Sequence, residues 1–327
     1  MTSIVAAARP NLKLLALAQA HAGIRDEVLE GLRASPKRLP PKLFYDANGA
    51  RLFQALCATR AYYPTRLETQ ILARHADGIA ASIGPGAVVI EPGAGEMRKI
   101  RLLLPALRPR AYVAIDVSQQ QLFDEAERLA RECPWLEVTA LAGDFQDVRI
   151  RARIGNAPGR PLLFFPGSTL GNFEPPQAAD FLRDVRHLLG QDARCVIGID
   201  LVKPLAPLEL AYNDPEGITA RFNLNLLARL NRELDADFDL AAFSHRAFYD
   251  SALQRVEMHL VSTRAQTVCV AGAAIRLGVG ETIHTENSCK YRPEQFEAMA
   301  REAGFRRTTR WSDERDWFGV FLLHAVD

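Results

Sequence analysis

Three acidic residues, Glu91, Asp116 and Asp144, each stand where a short apolar run gives way to a bend in the chain. Val88-Val89-Ile90-Glu91 leads into Pro92-Gly93-Ala94-Gly95. Tyr112-Val113-Ala114-Ile115 ends in Asp116, and the run from Leu136 to Leu141 passes into Gly143-Asp144-Phe145. A carboxylate at a strand end can accept hydrogen bonds from ribose hydroxyls, and glycine lets backbone approach a ligand that a Cβ would push away. Asp116 arrives about 20 residues after the glycines, the interval at which open α/β sheets place a ribose-binding acid. Taken singly, each acid reads equally well as an ordinary strand-end residue. Three in register point to a nucleoside-containing ligand.

Such residues need a sheet to hold them. Apolar strands at 88–91, 112–116, 136–141, 161–166 and 195–200 alternate with helical periodicity, as in Leu122, Ala126, Leu129 and Cys133, and in Ala178, Phe181, Leu182, Val185 and Leu189. Five strands with helical crossovers predict a doubly wound parallel sheet. Residues 11–34 read as short helices interrupted by Pro40-Pro41, and Thr65 as the cap of the helix that follows. After Asp200 the pattern changes. An amphipathic helix spans 217–234, and Val256, Met258 and Leu260 alternate with Arg255, Glu257 and His259, the mark of a half-exposed antiparallel strand. Residues 203–290 read as an inserted lobe, after which the sheet resumes. The expected domains are 67–202 with 291–327, and 1–66 with 203–290.

The chain of 327 residues is long enough for two domains. Its 40 basic and 39 acidic residues leave no basic footprint for nucleic acid. Five cysteines without a C-x-x-C pair argue against a disulfide framework or structural zinc, and seven scattered histidines show no H-E-x-x-H spacing, so no metal is expected. The apolar stretch near Leu14 is too short and too broken by charge for a membrane span. A cytoplasmic, monomeric enzyme with a small-molecule substrate, no nucleic acid and no membrane is the expectation.

A dinucleotide fingerprint would place a third glycine where Arg98 stands, and no G-K-[ST] loop occurs. The acids and glycines instead suit S-adenosylmethionine, which has no pyrophosphate. Gly93 and Gly95 would face its amino-acid part, Asp116 its ribose, and Asp144 with Phe145 its adenine.

Five further motifs carry a closer likeness: Leu39-Pro40-Pro41-Lys42-Leu43-Phe44-Tyr45-Asp46, Tyr62-Tyr63-Pro64-Thr65-Arg66, Gly167-Ser168-Thr169-Leu170-Gly171-Asn172, Asp200-Leu201-Val202-Lys203 and Thr285-Glu286-Asn287-Ser288-Cys289-Lys290. Through them the chain resembles, over nearly its whole length, the histidine-specific Nα-methyltransferases of ergothioneine biosynthesis. The resemblance implies a Rossmann-like class I S-adenosylmethionine-dependent α/β sheet with a discontinuous α+β substrate-binding domain. It also implies trimethylation of the α-amine of L-histidine to hercynine, with S-adenosylhomocysteine as by-product. It places Asn172 and Tyr212 on the substrate carboxylate, Tyr45 near the amine, Glu286 and Ser288 on the imidazole, and Met258 beside the ring. Tyr45 and Glu286 are the residues it makes catalytic. Tyr62 and Lys99 join the two glycines, Asp116, Asp144 and Phe145 on the cofactor. The loop departs from the family pattern: Leu and Ser usually flank the glycines, before Thr/Ser-Ser-Glu-Lys, whereas here Pro92, Ala94 and Glu96-Met97-Arg98-Lys99 stand.

Each assignment has a plainer competitor. Met258 fits core packing, Asn172 a helix cap, Tyr212 a turn, Glu286 a surface ion pair, and Tyr45 and Tyr62 ordinary turn aromatics. Among whole functions, the competitors are methylation of another aromatic amino acid such as tryptophan, an NAD-dependent oxidoreductase and a non-catalytic cofactor-sensing module. An indole offers only a donor, so Glu286 beside Ser288 favours an imidazole. The missing third glycine disfavours NAD.

Overall fold

The computed structural model describes residues 2–5, 9–17, 21–145, 147, 150, 151, 154 and 159–326. In chain order the strands are β1 (Thr2–Val5), β2 (Leu12–Leu17), β3 (Lys37–Arg38), β4 (Ala87–Pro92), β5 (Ala111–Asp116), β6 (Glu137–Ala142), β7 (Arg160–Phe165) and β8 (Arg194–Asp200). They continue with β9 (Phe243–Asp250), β10 (Arg255–Ser262), β11 (Gln266–Val270), β12 (Ala273–Leu277), β13 (Thr282–Cys289), β14 (Phe305–Ser312) and β15 (Phe318–Ala325). The helices are α1 (His21–Arg33), α2 (Ala47–Ala58), α3 (Tyr63–Ile83), α4 (Arg98–Leu107), α5 (Gln119–Glu132), α6 (Pro175–Leu189), α7 (Leu205–Tyr212), α8 (Ile218–Glu233) and α9 (Pro293–Glu302), with 3-10 turns at Pro41–Phe44, Thr169–Asn172 and Leu240–Ala242.

The chain divides into two compact units. One comprises Met1–Gln19, Pro64–Val202 and Lys290–Asp327, the other Ala20–Tyr63 and Lys203–Cys289.

In the first unit the described strands form one sheet in the order β1-β2-β6-β5-β4-β7-β8-β15-β14. β4 to β8 are parallel to their neighbours, as the alternation of strands and helices requires, while β15 pairs antiparallel with both β8 and β14. Every residue of β4 is buried, so its unbroken apolar run reflects cover on both faces. Val89 faces the side occupied by Ile100, Leu103 and Leu104 of α4 and Leu122, Ala126 and Leu129 of α5. Ile90, one residue on, faces the opposite cluster with Ile115, Leu141 and Ile150. Each such side chain contributes roughly 1.5–3 kcal/mol when taken fully out of water. The chain winds outward from β4 through β5 to β6, then returns to β7 on the other side of β4 and goes on to β8. The strand order therefore reverses beside β4, and a crevice forms at its carboxyl end, where the Gly93–Gly95 turn lies. The Rossmann-like α/β expectation is met.

Three expectations are corrected. Residues 11–34 are not helical throughout, and the first residues do not belong with the second unit. Leu12 and Leu14, alternating with Lys13, lie in a strand that pairs parallel with β6. A period of two beats helix propensity where a neighbouring strand offers a free edge. Asn11 holds this start in place, its amide reaching the carbonyls of Ala130, Cys133 and Leu136 at the end of α5. A described helix runs from His21 to Arg33. The helix expected from Thr65 starts at Tyr63 instead.

The second unit carries a four-stranded sheet, β3-β13-β10-β9, and the separate hairpin β11-β12. The antiparallel alternation expected for β10 is present. Its pairing with β13 is regular except for a bulge: Met258 faces Glu286 and His259 faces His284, which leaves Thr285 as the extra residue. α2 is capped by Asp46, which accepts a bond from the Gly49 amide at 2.7 Å and another from Asn225 of α8 at 2.8 Å.

Candidate functional site

In the first unit the turn after β4 is built by conformation. Gly93 and Gly95 have φ of +69° and +49°, values a side chain adopts at a cost, and a Cβ on either would enter open space or only graze backbone. The Gly93 and Ala94 amides donate to the Ile115 carbonyl at 2.8 and 3.1 Å, which ties the turn to the end of β5. Asp116 completes the tie. Its Oδ2 accepts from the Gly95 amide at 3.0 Å and its Oδ1 from the Ser118 amide at 2.8 Å. A carboxylate oxygen has two acceptor sites, so each keeps one for a ribose hydroxyl. Gly143 donates to the Asp116 carbonyl, which brings Asp144 and Phe145 to the same edge. The Phe145 ring lies 5.7 Å from that of Phe181, itself stacked on Phe165 and Phe173. Open space over a glycine turn, spare carboxylate acceptors and an aromatic face suit a donor with amino-acid, ribose and adenine parts.

Sequence reasoning missed one acid here and the protonation state of another. Glu68 of α3 is 1% exposed, yet its carboxylate accepts from Lys99 Nζ at 2.5 Å and from the Gly167 amide at 3.0 and 2.8 Å. Gly198 of β8 makes room for it, since a Cβ there would come within 1.9 Å of Glu68 Oε1. Lys99, predicted on the cofactor, is thus held by a buried partner at the start of α4. The second acid is Glu91, visible in sequence but with its state hidden. Burial pushes its carboxyl up to about 8, offset in part by a 2.6 Å bond from the Tyr112 hydroxyl and by Lys99. At neutral pH it is a buried neutral acid beside the turn.

Asn172 closes the 3-10 turn that follows β7. It does not cap α6; Glu174 does, paired with Gln177. The Asn172 amide makes no hydrogen bond among the described residues and is free for a ligand. At the end of β8, Asp200 pairs with Lys290 at 2.9 Å, both essentially fully buried.

In the second unit the remaining predicted residues do converge. Tyr45, Phe53, Phe222, Tyr62 and Tyr212 form a chain of ring contacts with centroids 5.7–6.1 Å apart. Tyr62, expected with the cofactor set, stands in this cluster. Burial, then Tyr212, Cys57, Glu286 and Tyr45, push its phenol well above the usual value, so it stays a neutral donor. Tyr212 donates to Ser288 Oγ at 2.6 Å, joining two residues that the sequence assigned to opposite ends of the substrate. Met258 lies opposite Glu286 in the strand pairing, with 2% and 9% exposure. Glu286 is therefore not a surface ion-pair residue, and Met258 is packed as well as near it.

Among the described residues, Glu257, His259 and His284 could be grouped as metal ligands. Their geometry is that of an ion-pair network. Glu257 accepts from Arg255 at 2.6 Å on one oxygen and meets His259 Nε2 at 2.8 Å on the other, and His284 bonds Asn287 at 2.9 Å.

The family model for histidine-specific, S-adenosylmethionine-dependent methyltransferases matches residues 24–325. The histidine N-alpha-methyltransferase of Mycolicibacterium smegmatis is 42% identical over 316 residues, covering 94% of this chain and 97% of that protein. That of Mycobacterium tuberculosis is 41% identical over 309 residues, covering 92% and 95%. Ergothioneine biosynthesis protein 1 of Neurospora crassa is 32% identical over 300 residues, covering 88% of this chain and 33% of that protein. The chain belongs to the histidine-specific, S-adenosylmethionine-dependent methyltransferase family.

Proposed function

We propose that this protein methylates the α-amine of L-histidine three times, giving hercynine in the first step of ergothioneine formation. The observation that carries this reading is the buried Glu286, opposite Met258 and two residues from a Ser288 already bonded to Tyr212. A carboxylate and a hydroxyl can meet the two nitrogens of an imidazole, one as acceptor from N–H and the other as donor to the lone pair. An indole would satisfy only the first.

S-adenosylmethionine supplies a methyl group on a positive sulfur, and transfer to a neutral amine is an in-line displacement in which the carbon–sulfur bond breaks as the carbon–nitrogen bond forms. Positioning then sets most of the rate. In this reading Gly93, Gly95, Lys99, Asp116, Asp144 and Phe145 hold the donor. Asn172 takes the histidine carboxylate, joined by Tyr212 once its hydroxyl proton turns from Ser288 Oγ to that carboxylate, and Tyr45 and Tyr62 offer phenols and ring faces to the amine. Each of the first two products must lose a proton before its lone pair can react again, and the third has none to lose. A permanent ammonium is stabilised by aromatic faces, which these rings provide.

The test is mass spectrometry of histidine incubated with the protein and S-adenosylmethionine. A gain of three methyl groups on the α-nitrogen is expected. Unchanged histidine, or faster methylation of tryptophan, would overturn the reading.

A further inference from the structure

A polar relay, buried at Asn223 and Thr285 and half-buried at His245, runs behind Glu286 and Tyr212, and no part of the reaction above uses it. Asn223 of α8 is 0% exposed. Its Nδ2 donates to the His259 carbonyl at 3.1 Å and meets His245 Nδ1 at 2.9 Å. Its Oδ1 lies 2.8 Å from the Thr285 hydroxyl, which is also 3.0 Å from the Met258 carbonyl. His245 Nε2 in turn lies 2.9 Å from the Tyr212 carbonyl.

The directions follow from the fixed acceptors. A carbonyl only accepts, so the amide group facing His259 must be Nδ2, and Nδ2 only donates. His245 Nδ1 must then be the lone-pair nitrogen, which puts the single imidazole proton on Nε2, pointing at the Tyr212 carbonyl. Thr285 shares its single hydroxyl proton between Asn223 Oδ1 and the Met258 carbonyl. The relay thus joins the end of α7 at Tyr212, the strand at Met258 and the residue preceding Glu286.

The bulge gives this junction its importance. Residues two apart on a regular strand share a face, so His284 and Glu286 would point the same way. Thr285 is the extra residue, and it breaks that parity. His284 turns to Asn287 and to the His259 ring, while Glu286 lies close enough to the Tyr62 phenol to affect its ionisation. The hydroxyl of Thr285 bonds backbone at the very position where the ladder is interrupted.

We infer that Thr285, Asn223 and His245 are positioning residues that hold this bulge and so set the protein's preference for an imidazole side chain. The inference rests on Glu286 and Tyr212 being histidine contacts. It makes the selectivity a property of one strand irregularity rather than of Glu286 alone.

The experiment compares Thr285→Val, Thr285→Ser and Glu286→Ala with the wild-type enzyme in steady-state assays and in S-adenosylmethionine binding. Thr285→Val keeps shape and loses the donor. It is expected to raise the KM for histidine about tenfold, the size of one lost buried hydrogen bond, with kcat within about twofold and donor affinity unchanged. Discrimination between histidine and tryptophan should fall with it, and Thr285→Ser should restore both. Folded Thr285→Val with a wild-type KM and unchanged discrimination would overturn the relay. If Glu286→Ala raises the KM in the same assays, only the relay has failed; if Glu286→Ala also leaves it unchanged, the substrate reading itself has failed. Should Thr285→Val not fold, His245→Leu at the half-buried end of the relay serves instead, since leucine can make neither bond: a raised histidine KM with unchanged donor affinity supports the relay, and an unchanged KM overturns it.

Discussion

Glu286 is a carboxylate with only 9% exposure, opposite Met258 in the strand pairing and close enough to the Tyr62 phenol to affect its ionisation. In the reading proposed above it accepts a hydrogen bond from the substrate imidazole N–H. Replacing Glu286 with Ala should weaken histidine by roughly 10- to 100-fold, the worth of a hydrogen bond to a charged group, and leave S-adenosylmethionine affinity unchanged. Calorimetry with each ligand checks this, and equal losses for both would remove the assignment. Asp116 behaves differently. From sequence alone, Asp116→Ala would strip the cofactor and spare everything else. The structure adds two backbone donors, from Gly95 and Ser118, that the carboxylate satisfies before any ligand arrives. Asp116→Asn keeps an acceptor and should therefore lose less donor affinity than Asp116→Ala, by about tenfold between the two. Fluorescence titration of both variants decides it.

Elements meet at Glu68. A carboxylate from α3 fastens the start of α4 through Lys99 and the loop after β7 through Gly167, in a space that Gly198 leaves open. Glu68→Ala leaves the Lys99 charge without its partner and the Gly167 amide without an acceptor. Stability should fall by about 3–5 kcal/mol, as expected when one member of a buried pair is removed. Donor affinity should fall too, since Lys99 loses its anchor. Denaturant titration and ligand binding on the same variant check the two effects together.

Much of this layer was legible beforehand. Strands such as Val88-Val89-Ile90 announce themselves because a two-sided sheet leaves no polar positions to confuse the period. Glu68 was not legible, because a lone acid within an amphipathic helix looks identical whether it faces water or a lysine. Nor was β2, whose few residues follow a period of two but are too short to exclude a helix. The bulge at Thr285 was hidden for a third reason: strand parity predicts faces only where the ladder is unbroken.

For the whole molecule, the perturbed groups set how stability varies with pH. Glu91 is raised to about 8, so the folded protein holds a proton that the unfolded chain releases near 4.5. Its contribution is complete at low pH and is lost as pH rises through 8, at up to about 1.4 kcal/mol per pH unit. His245, His284 and His324 are all lowered, chiefly by burial. Their contribution is complete above the ordinary histidine value of 6.5 and is lost as pH falls below it. From about 4.5 to about 8 the unfolded chain has released the Glu91 proton while the folded protein still holds it, and above 6.5 the three histidines add no slope of their own. Glu91→Gln, which keeps the bond from Tyr112, should flatten the decline across that window in thermal melts, most visibly between 6.5 and 8, and leave the pH dependence below 4.5 unchanged. A decline of the same slope in the variant would assign it elsewhere.

The chain passes out of the large sheet at Val202 and comes back at Lys290, and Leu201 there pairs with Tyr291 while Asp200 grips Lys290. Exit and re-entry are side by side, as at the mouth of a drawstring bag. The segment sewn in between thus starts and finishes at one spot, and its length and composition can drift without pulling on β8. In the reading proposed above, what the protein recognises can be retailored within that segment while the residues that hold the donor stay as they are.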